Sequence, residues 1–211
     1  MCGPIHHGRF ATQIRQRSGI VVIFVPPEAI AAWEERYGTP REWNHDQPIT
    51  EHDHGIITRS QKQGRHHDIT LYIERNGLIA VIAKPFYPDG LYRAPSGGLK
   101  PGESLEDGAQ REAFEETGLP ITLHRYLLRT NVNFQSSTLG DIEWHSHIFT
   151  ATTDQTDIAH TDHDEIRGSR WAEPSEFPTF GEIMRQTENG GLHYRATLHE
   201  RIAEMHPLFQ M

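Results

Sequence analysis

The stretch that decides the fold of this chain is residues 94–119, which read APSGGLKPGESLEDGAQREAFEETGL. Ser104 offers a side-chain oxygen to the first free N–H groups of a helix, and Gly118 suits the left-handed residue that commonly ends one. Most of the residues between them are compatible with a helix, although Gly108 lies in its interior. The pattern therefore predicts one helix between Ser104 and Gly118, preceded by a loop rich in glycine.

Three carboxylates share one face of this predicted helix. Glu115 and Glu116 follow Glu112 by three and four residues, a spacing that brings side chains together in an α-helix. Like charges at this spacing destabilise an isolated helix by roughly 0.2–0.5 kcal/mol per pair, and Arg111 offsets only part of that repulsion. Clustered carboxylate oxygens suit the hard ions Mg²⁺ and Mn²⁺. The pattern indicates a metal-binding face, with a solvated acidic surface as the alternative.

The whole stretch resembles the signature of the Nudix hydrolase family. That signature is Gly, five residues, Glu, seven residues, Arg-Glu, an aliphatic residue, any residue, Glu-Glu, any residue, Gly and an aliphatic residue. Gly97, Glu103 and residues 111–119 occupy its positions here, and Ala113 is smaller than the usual aliphatic residue. The resemblance implies the α/β (α+β) class, as a Nudix-like α/β/α sandwich with a mixed β-sheet between helices.

The resemblance also implies an activity, which is hydrolysis of a nucleoside diphosphate linked to another moiety by attack of water on phosphorus. The implied cofactor is Mg²⁺ or Mn²⁺, and Glu112 is implied to be a ligand or the general base. Arg111 and Glu103 are implied to form a structural ion pair. The ligands that the family pattern implies are Glu112, Glu115, Glu116 and the backbone carbonyl near Gly97.

In several members of the family the general base lies outside the signature, on a later loop. The candidates here are Asp162, Asp164 and Glu165. We favour Glu165, because an acidic residue shortly before a Trp at the start of the last strand is a familiar family arrangement, and Trp171 follows. An exposed acidic loop is the alternative interpretation.

The substrate is indicated only by scattered residues. Residues 95–98 (PSGG) are similar to the Pro-Ala-Gly-Gly of ADP-ribose and nucleotide-sugar pyrophosphatases, although Arg93 stands where those enzymes usually carry Glu. ADP-ribose or a nucleotide sugar is therefore the favoured substrate. A (d)NTP pyrophosphohydrolase and a non-catalytic nucleotide-sensing module are the alternatives. The candidate substrate-binding residues are Arg93, Lys84, His145 and His147, with surface or packing roles as the alternative.

Outside the signature, Asn76-Gly77 separates strand-like runs at 69–75 and 78–84 and predicts a hairpin with a type I′ turn. Residues 41–67 are polar and rich in His, and we interpret them as a loop or linker with one short strand at most. The other predicted elements, in chain order, are a strand at 19–25, a helix from 27 to 38, strands at 121–134 and 142–151, and helices at 180–205.

These elements divide the chain into three segments. Residues 1–65 are predicted to form an N-terminal extension, residues 66–178 the Nudix hydrolase domain, and residues 179–211 C-terminal helices that pack on the same domain. The extension is expected to act as a dimer arm, a lid or a cap that selects the substrate. A homodimer is therefore one of the expected states.

Composition restricts the class of partner. The chain has 211 residues, with 29 Asp and Glu against 20 Lys and Arg, a formal net charge of -9. This balance disfavours the broad basic face that long nucleic acids require, and it permits a small polyanionic substrate if metal ions bridge the two. The longest apolar run, 20–25, is far shorter than the roughly 20 residues of a membrane-spanning helix. The single Cys2 cannot form an internal disulfide, so a cytoplasmic location is expected.

Overall fold

The predicted hairpin turn is present. In the computed structural model, which describes residues 25–100 and 102–209, Asn76 and Gly77 have φ values of 50° and 81° between two antiparallel strands. A type I′ turn requires positive φ at both central residues, and Asn and Gly tolerate it best. The strand predicted at 19–25 falls outside the described residues except for Val25.

The described chain contains runs of strands separated by helices. Its helices are α1 (Pro27–Tyr37), α2 (Glu51–Lys62), α3 (Leu105–Thr117), α4 (Phe177–Arg185) and α5 (Gly190–Ala203). Its strands are β1 (Arg41–Pro48), β2 (His67–Arg75), β3 (Leu78–Ala83), β4 (Ser96–Gly97), β5 (Thr122–Gln135), β6 (Ile142–Thr152) and β7 (Gly168–Ala172).

The described strands form one mixed sheet in the order β1-β5-β6-β2-β3-β7, with β4 paired to β2. The pairs β1–β5 and β2–β6 are parallel, and the others are antiparallel. Helices α1 and α3 cover one face, where Trp33 and Ala109 are buried against Phe149. Helices α4 and α5 cover the other face, where Phe177 and Leu198 are buried. The predicted α/β/α sandwich with a mixed sheet between helices is confirmed.

Helix α3 begins and ends where its sequence predicts. The Ser104 hydroxyl oxygen accepts a hydrogen bond from the Asp107 N–H at 3.0 Å, which satisfies one free donor of the first turn. Gly118 has a left-handed backbone with φ of 73° and ends the helix. Both ends of the helix that carries the carboxylates thus lie at the residues that local sequence indicates.

The acidic loop at 154–165 contacts the C-terminal end of α3. The N–H of Ala159 donates to the Thr117 carbonyl, and the N–H of Asp162 donates to the Glu115 carbonyl, both at 3.0 Å. These bonds satisfy carbonyls that the last turn of a helix leaves free. The end of α3 thereby holds the loop next to the carboxylate face of the helix.

The interpretation of residues 41–67 as a loop or linker with one short strand is wrong for residues 51–62, which form α2, whereas β1 is the strand that it allowed. Strand β1 lies at the edge of the sheet and pairs with β5. Edge strands often carry polar side chains, so the alternation of apolar and polar residues along β1 is weak. Asn44 and Asp46 accept hydrogen bonds from the side-chain amides of Asn131 and Asn133 on β5, at 3.0 and 3.1 Å. The polar residues thus stabilise a strand.

Helix α2 begins at a capping box that the sequence interpretation overlooked. The Thr50 hydroxyl oxygen accepts from the Asp53 N–H at 3.2 Å, and the Asp53 carboxylate accepts from the Thr50 N–H at 3.1 Å. The same carboxylate accepts from the Gly190 N–H at the start of α5, at 3.0 Å. Asp53 therefore joins α2 to α5 and compensates for Gly55 in the helix interior.

The helical region predicted at 180–205 is present as α4 and α5. Residues 186–189 separate the two helices, and the Asn189 side chain caps the start of α5 by accepting from the Leu192 N–H at 2.9 Å. Within the part of the chain that the structure describes, no helix has both the length and the apolar character needed to cross a membrane. The boundaries at 65/66 and 178/179 stay predictions.

Candidate active site

The missing side chain of Gly97 makes room for the carboxylate of Glu112. A Cβ atom built on Gly97 would lie 1.7 Å from the Glu112 carboxyl carbon, far inside any permitted contact. Pairing of β4 with β2 sets Gly97 opposite Ile69. The Glu112 side chain is 14% exposed, and burial raises the pKa of its carboxyl against the opposing effect of Arg111. The signature glycine thus makes room for a carboxylate with raised proton affinity.

Glu116 is buried in the same cleft and is surrounded by positive groups. The Ser96 N–H donates to its Oε2 at 2.8 Å. Nη2 of Arg93 lies 3.5 Å from Oε1, and Nζ of Lys84 lies 4.0 Å from the same oxygen. A buried carboxylate is tolerated only with such compensation. These contacts hold the Glu116 side chain in one orientation.

Arg93 supports this carboxylate from within the protein. Its side chain is almost fully buried, and its guanidinium donates to the Tyr87 hydroxyl, the Ala94 carbonyl and the Ser96 hydroxyl at 2.7–2.9 Å. Burial opposes its charge, but Tyr87 and Glu116 hold the pKa of Arg93 above its usual value. The structure thus places Arg93 behind Glu116, and its predicted contact with substrate stays a prediction.

A buried ion pair that the sequence interpretation did not find lies beside Ser96. Nη2 of Arg195 on α5 donates to Asp68 Oδ2 at 2.5 Å and to the Ser96 hydroxyl at 3.0 Å. Burial alone would raise the pKa of Asp68, but Arg195 and Ser146 hold it below its usual range. Because Asp68 and Arg195 are far apart in the sequence, no local spacing could have indicated this pair.

Arg111 connects the signature residues to one another. Its guanidinium donates to both oxygens of Glu103, at 2.8 and 2.9 Å, so the structure contains the ion pair that the resemblance implies. Nη1 also donates to Glu112 at 2.8 Å and to Glu115 at 3.0 Å, and Nη2 donates to the Gly98 carbonyl at 2.9 Å. The glycine-rich loop and the helix are therefore fixed through a single side chain.

No three His, Cys, Asp or Glu side chains within residues 25–100 and 102–209 are already arranged to hold a metal ion. In the acidic cluster, which consists of Glu112, Glu115 and Glu116, Arg111 donates to oxygens of Glu112 and Glu115. The donor set nevertheless fits a hard divalent cation, since it consists of carboxylate oxygens beside a backbone carbonyl at Gly97. Gly97, Glu112, Glu115 and Glu116 all line one cleft, which leaves room for such an ion.

These groups line one cleft of about 350 Å³, together with residues of the acidic loop. Asp162 and Glu165 line it, whereas Asp164 does not. Nζ of Lys84 donates to Glu165 at 2.8 Å. The Asp162 carboxylate accepts from the N–H groups of Asp164 and Glu165 and so shapes the loop. The structure brings Lys84 and Glu165 to the acidic cluster.

His145 and His147 lie away from that cleft, in a second cavity of about 250 Å³ that His67 also lines. His147 packs edge-on against Trp33 of α1, and its Nδ1 is 2.5 Å from the Tyr126 hydroxyl. Alternation along β6 directs these histidines to the face that α1 and α3 cover. The structure does not bring them to the acidic cluster, and their contact with substrate stays a prediction.

These buried histidines lead to a prediction about stability in acid. Burial lowers the pKa of His147 to about 3 and that of His67 to about 4, against an ordinary value of about 6.5. Between pH 6.5 and pH 3 the unfolded chain therefore binds more protons than the folded protein, so stability falls as pH falls. For His147 alone, the loss from pH 7 to pH 5 is on the order of 2 kcal/mol.

Urea unfolding at pH 7 and pH 5 measures this loss in the wild type and in His147→Phe. The variant should lose on the order of 2 kcal/mol less over that interval. The substitution also removes the contact of His147 with the Tyr126 hydroxyl, which costs stability at both pH values. Taking the difference between pH 7 and pH 5 within each protein cancels that cost. An equal decline in both proteins would contradict the assignment to His147.

Comparison with known proteins supports a family assignment. The model of the NUDIX domain matches residues 55–189. An RNA pyrophosphohydrolase of Erythrobacter litoralis is 28% identical over 103 residues, which cover 42% of this chain and 63% of the relative. The NAD-capped RNA hydrolase NudC of Vibrio parahaemolyticus is 28% identical over 110 residues, covering 52% of this chain and 39% of the relative. This chain thus spans less than two thirds of either relative.

Solved structures include similar chains at low identity. A NUDIX hydrolase from Nitrosomonas europaea superposes with a TM-score of 0.47 at 19% identity, over 70% of this chain and 95% of that one. The family model covers more than half of the chain and includes the complete signature. The chain therefore belongs to the NUDIX domain family.

Proposed function

We propose that this protein is a metal-dependent pyrophosphohydrolase that cleaves the pyrophosphate bond of a nucleoside diphosphate linked to another moiety. The observation that carries the proposal is the cleft that brings Glu112 and Glu116 together with Lys84 and Arg195. Carboxylate oxygens suit a divalent ion, and cations attract the phosphates of the substrate. Membership of the NUDIX domain family supports this reaction class.

The proposed metal site is formed by α3 and the loop before it. Glu112, Glu115, Glu116 and the carbonyl of Gly97 would hold Mg²⁺ or Mn²⁺. Such ions neutralise the charge of the pyrophosphate and lower the pKa of bound water. The contribution of Ser96 is to orient Glu116, since its N–H donates to Oε2 of that carboxylate at 2.8 Å.

Glu112 and Glu165 are the two proposed general bases. Burial raises the pKa of Glu112, which moves a carboxylate towards effective proton transfer at neutral pH. Glu165 is 67% exposed at the edge of the cleft and is paired with Lys84 at 2.8 Å. A substrate phosphate that binds Lys84 would weaken this pair and leave Glu165 able to accept a proton from the attacking water.

The proposed substrate is ADP-ribose or a nucleotide sugar, supported by the similarity of residues 95–98 to those pyrophosphatases. Part of the cleft lining is apolar and aromatic, which suits a nucleobase. The side chains of this part are Ile56, Ile57, Phe134, Trp144 and Tyr194. A (d)NTP is the first alternative substrate, and a sensor that binds nucleotides without turnover is the second alternative function.

The end of an RNA is a further alternative, because both relatives described above are named for hydrolysis of RNA or of capped RNA. The net charge of -9 disfavours extended contacts with an RNA backbone. We therefore place small nucleotide derivatives first. Any contact with RNA would be limited to its terminal nucleotide.

A substrate panel with product identification tests the proposal. It contains ADP-ribose, a nucleotide sugar, the (d)NTPs and a short RNA with a triphosphate or NAD at its 5′ end, each with Mg²⁺ or Mn²⁺. Release of a nucleoside monophosphate from ADP-ribose or the nucleotide sugar, abolished by a chelator, is the expected result. If only (d)NTPs or only the RNA were turned over, the assignment of ADP-ribose or a nucleotide sugar as substrate would be wrong. Binding without turnover of any compound would contradict the proposed enzymatic activity.

A further inference from the structure

The second glycine of the signature loop, Gly98, makes room for the side chain of Arg65. A Cβ atom built on Gly98 would lie 2.7 Å from Nε and 3.0 Å from Cδ of Arg65. Arg65 lies between α2 and β2, where its N–H donates to the Ser60 carbonyl at 3.0 Å. A segment outside the signature thus places a guanidinium against the loop that makes room for Glu112.

The guanidinium of Arg65 lines the cleft beside the carboxylates. It lies close enough to Glu112 for its charge to oppose the rise in the pKa of that carboxyl. It also favours the ionised form of Asp68 and so helps to lower the pKa of that group. The positive charge of Arg65 therefore acts on two carboxylates that line the cleft.

The cations in the cleft differ in their partners. Lys84 pairs with Glu165, Arg195 pairs with Asp68, and Arg93 is buried against Glu116. Arg65 is exposed, and the structure gives its guanidinium no hydrogen bond or ion pair with another described side chain. Binding to a phosphate would therefore cost Arg65 no existing ion pair among the described residues.

We propose that Arg65 binds a phosphate of the substrate, so that the segment between α2 and β2 contributes directly to recognition of a nucleoside diphosphate. This inference rests on the proposed function for its substrate class. A guanidinium binds phosphate oxygens through two parallel N–H donors, which gives orientation as well as affinity. Gly98 is required in this role because a side chain there would displace Arg65.

Calorimetric binding of ADP in the presence of Mg²⁺ tests the assignment. Arg65→Ala should raise the Kd at least about tenfold, the range expected for loss of a charged hydrogen bond. Arg65→Lys should recover part of the affinity because it keeps the charge. Arg59→Ala is the matched control, since Arg59 is an exposed arginine of α2 that does not line the cleft. It should change the Kd less than twofold.

Gly98→Ala gives a second, independent measurement. The φ of Gly98 is not positive, so Ala fits the backbone, and the flexible end of Arg65 must move instead. We expect Gly98→Ala to weaken ADP binding as much as Arg65→Ala, with no further loss in the double variant. An unchanged Kd in Arg65→Ala, an equal loss in Arg59→Ala, or additive losses in the double variant would overturn the inference.

The two proposals can fail separately. If the wild type hydrolyses the substrate panel while Arg65→Ala binds ADP normally, the role of Arg65 is wrong and the pyrophosphohydrolase stands. If ADP binding depends on Arg65 while no compound is turned over, the phosphate contact stands and the proposed activity is wrong. Absence of ADP binding by the wild type would overturn the phosphate contact.

Discussion

Glu116→Gln is expected to lower kcat for the best substrate of the panel at least about 100-fold at saturating Mg²⁺, because one negative charge leaves the proposed ligand set. The substitution keeps the length of the side chain and one oxygen that can accept from the Ser96 N–H. The position of the side chain should therefore change little, while its affinity for a divalent ion falls. Quantified nucleoside monophosphate, measured over a range of Mg²⁺ and Mn²⁺ concentrations, gives the result.

Glu106→Gln is the matched control for this experiment. Glu106 lies on the same helix, where its carboxylate accepts from Arg36 at 2.6 Å and from the Tyr37 hydroxyl at 2.7 Å. The Glu106→Gln variant should keep kcat within about twofold of the wild-type value, since these contacts lie outside the cleft. Thermal unfolding of both variants shows whether the loss of charge opposite Arg93 also affects folding. A folded Glu116→Gln protein with at least half of the wild-type rate would refute Glu116 as a ligand.

The parts of the structure that depend on neighbouring residues could be predicted from the sequence. Helix α3 is one such part, because Ser104 and Gly118 fix its ends and the spacing of its carboxylates fixes their face. The hairpin is another, because Asn76 and Gly77 satisfy a strict backbone requirement. In both cases the decisive interactions span only a few residues.

The remaining parts depend on contacts between distant residues. Strand β1 is polar because it lies at an edge, and α2 depends on the contact of Asp53 with α5, which no local pattern shows. The capping box at Thr50 was a usable signal that the interior Gly55 obscured. The pairing of Asp68 with Arg195 had no sequence signal.

The histidines show a further limit of sequence analysis. The sequence placed His145 and His147 on one face of a strand, and the two side chains do line the same cavity. Which helix covers that face depends on the packing of α1, a tertiary property. The same holds for Arg65, whose approach to Gly98 brings together two segments that share no motif.

Gly97→Ala is expected to reduce kcat at least about 100-fold while the protein still folds. The methyl group would lie 1.7 Å from the Glu112 carboxyl carbon, so the carboxylate must leave its position or β4 must move away from Ile69. Overpacking of this kind costs roughly 1–3 kcal/mol of stability. The φ of Gly97 is not positive, so the effect comes from the methyl group and not from backbone strain. Turnover and thermal unfolding are measured together.

Gly168→Ala is the control for adding a methyl group at a glycine. A Cβ atom on Gly168 meets no atom within 4 Å, and its φ is not positive, so kcat and stability should both stay near the wild type. The double variant with Glu112→Ala identifies the cause of the loss. If the methyl group acts only by displacing Glu112, Gly97→Ala adds little to the loss of Glu112→Ala alone. Additive losses would instead show that β4 itself has moved, and Gly97 would then act through the backbone and not through the carboxylate.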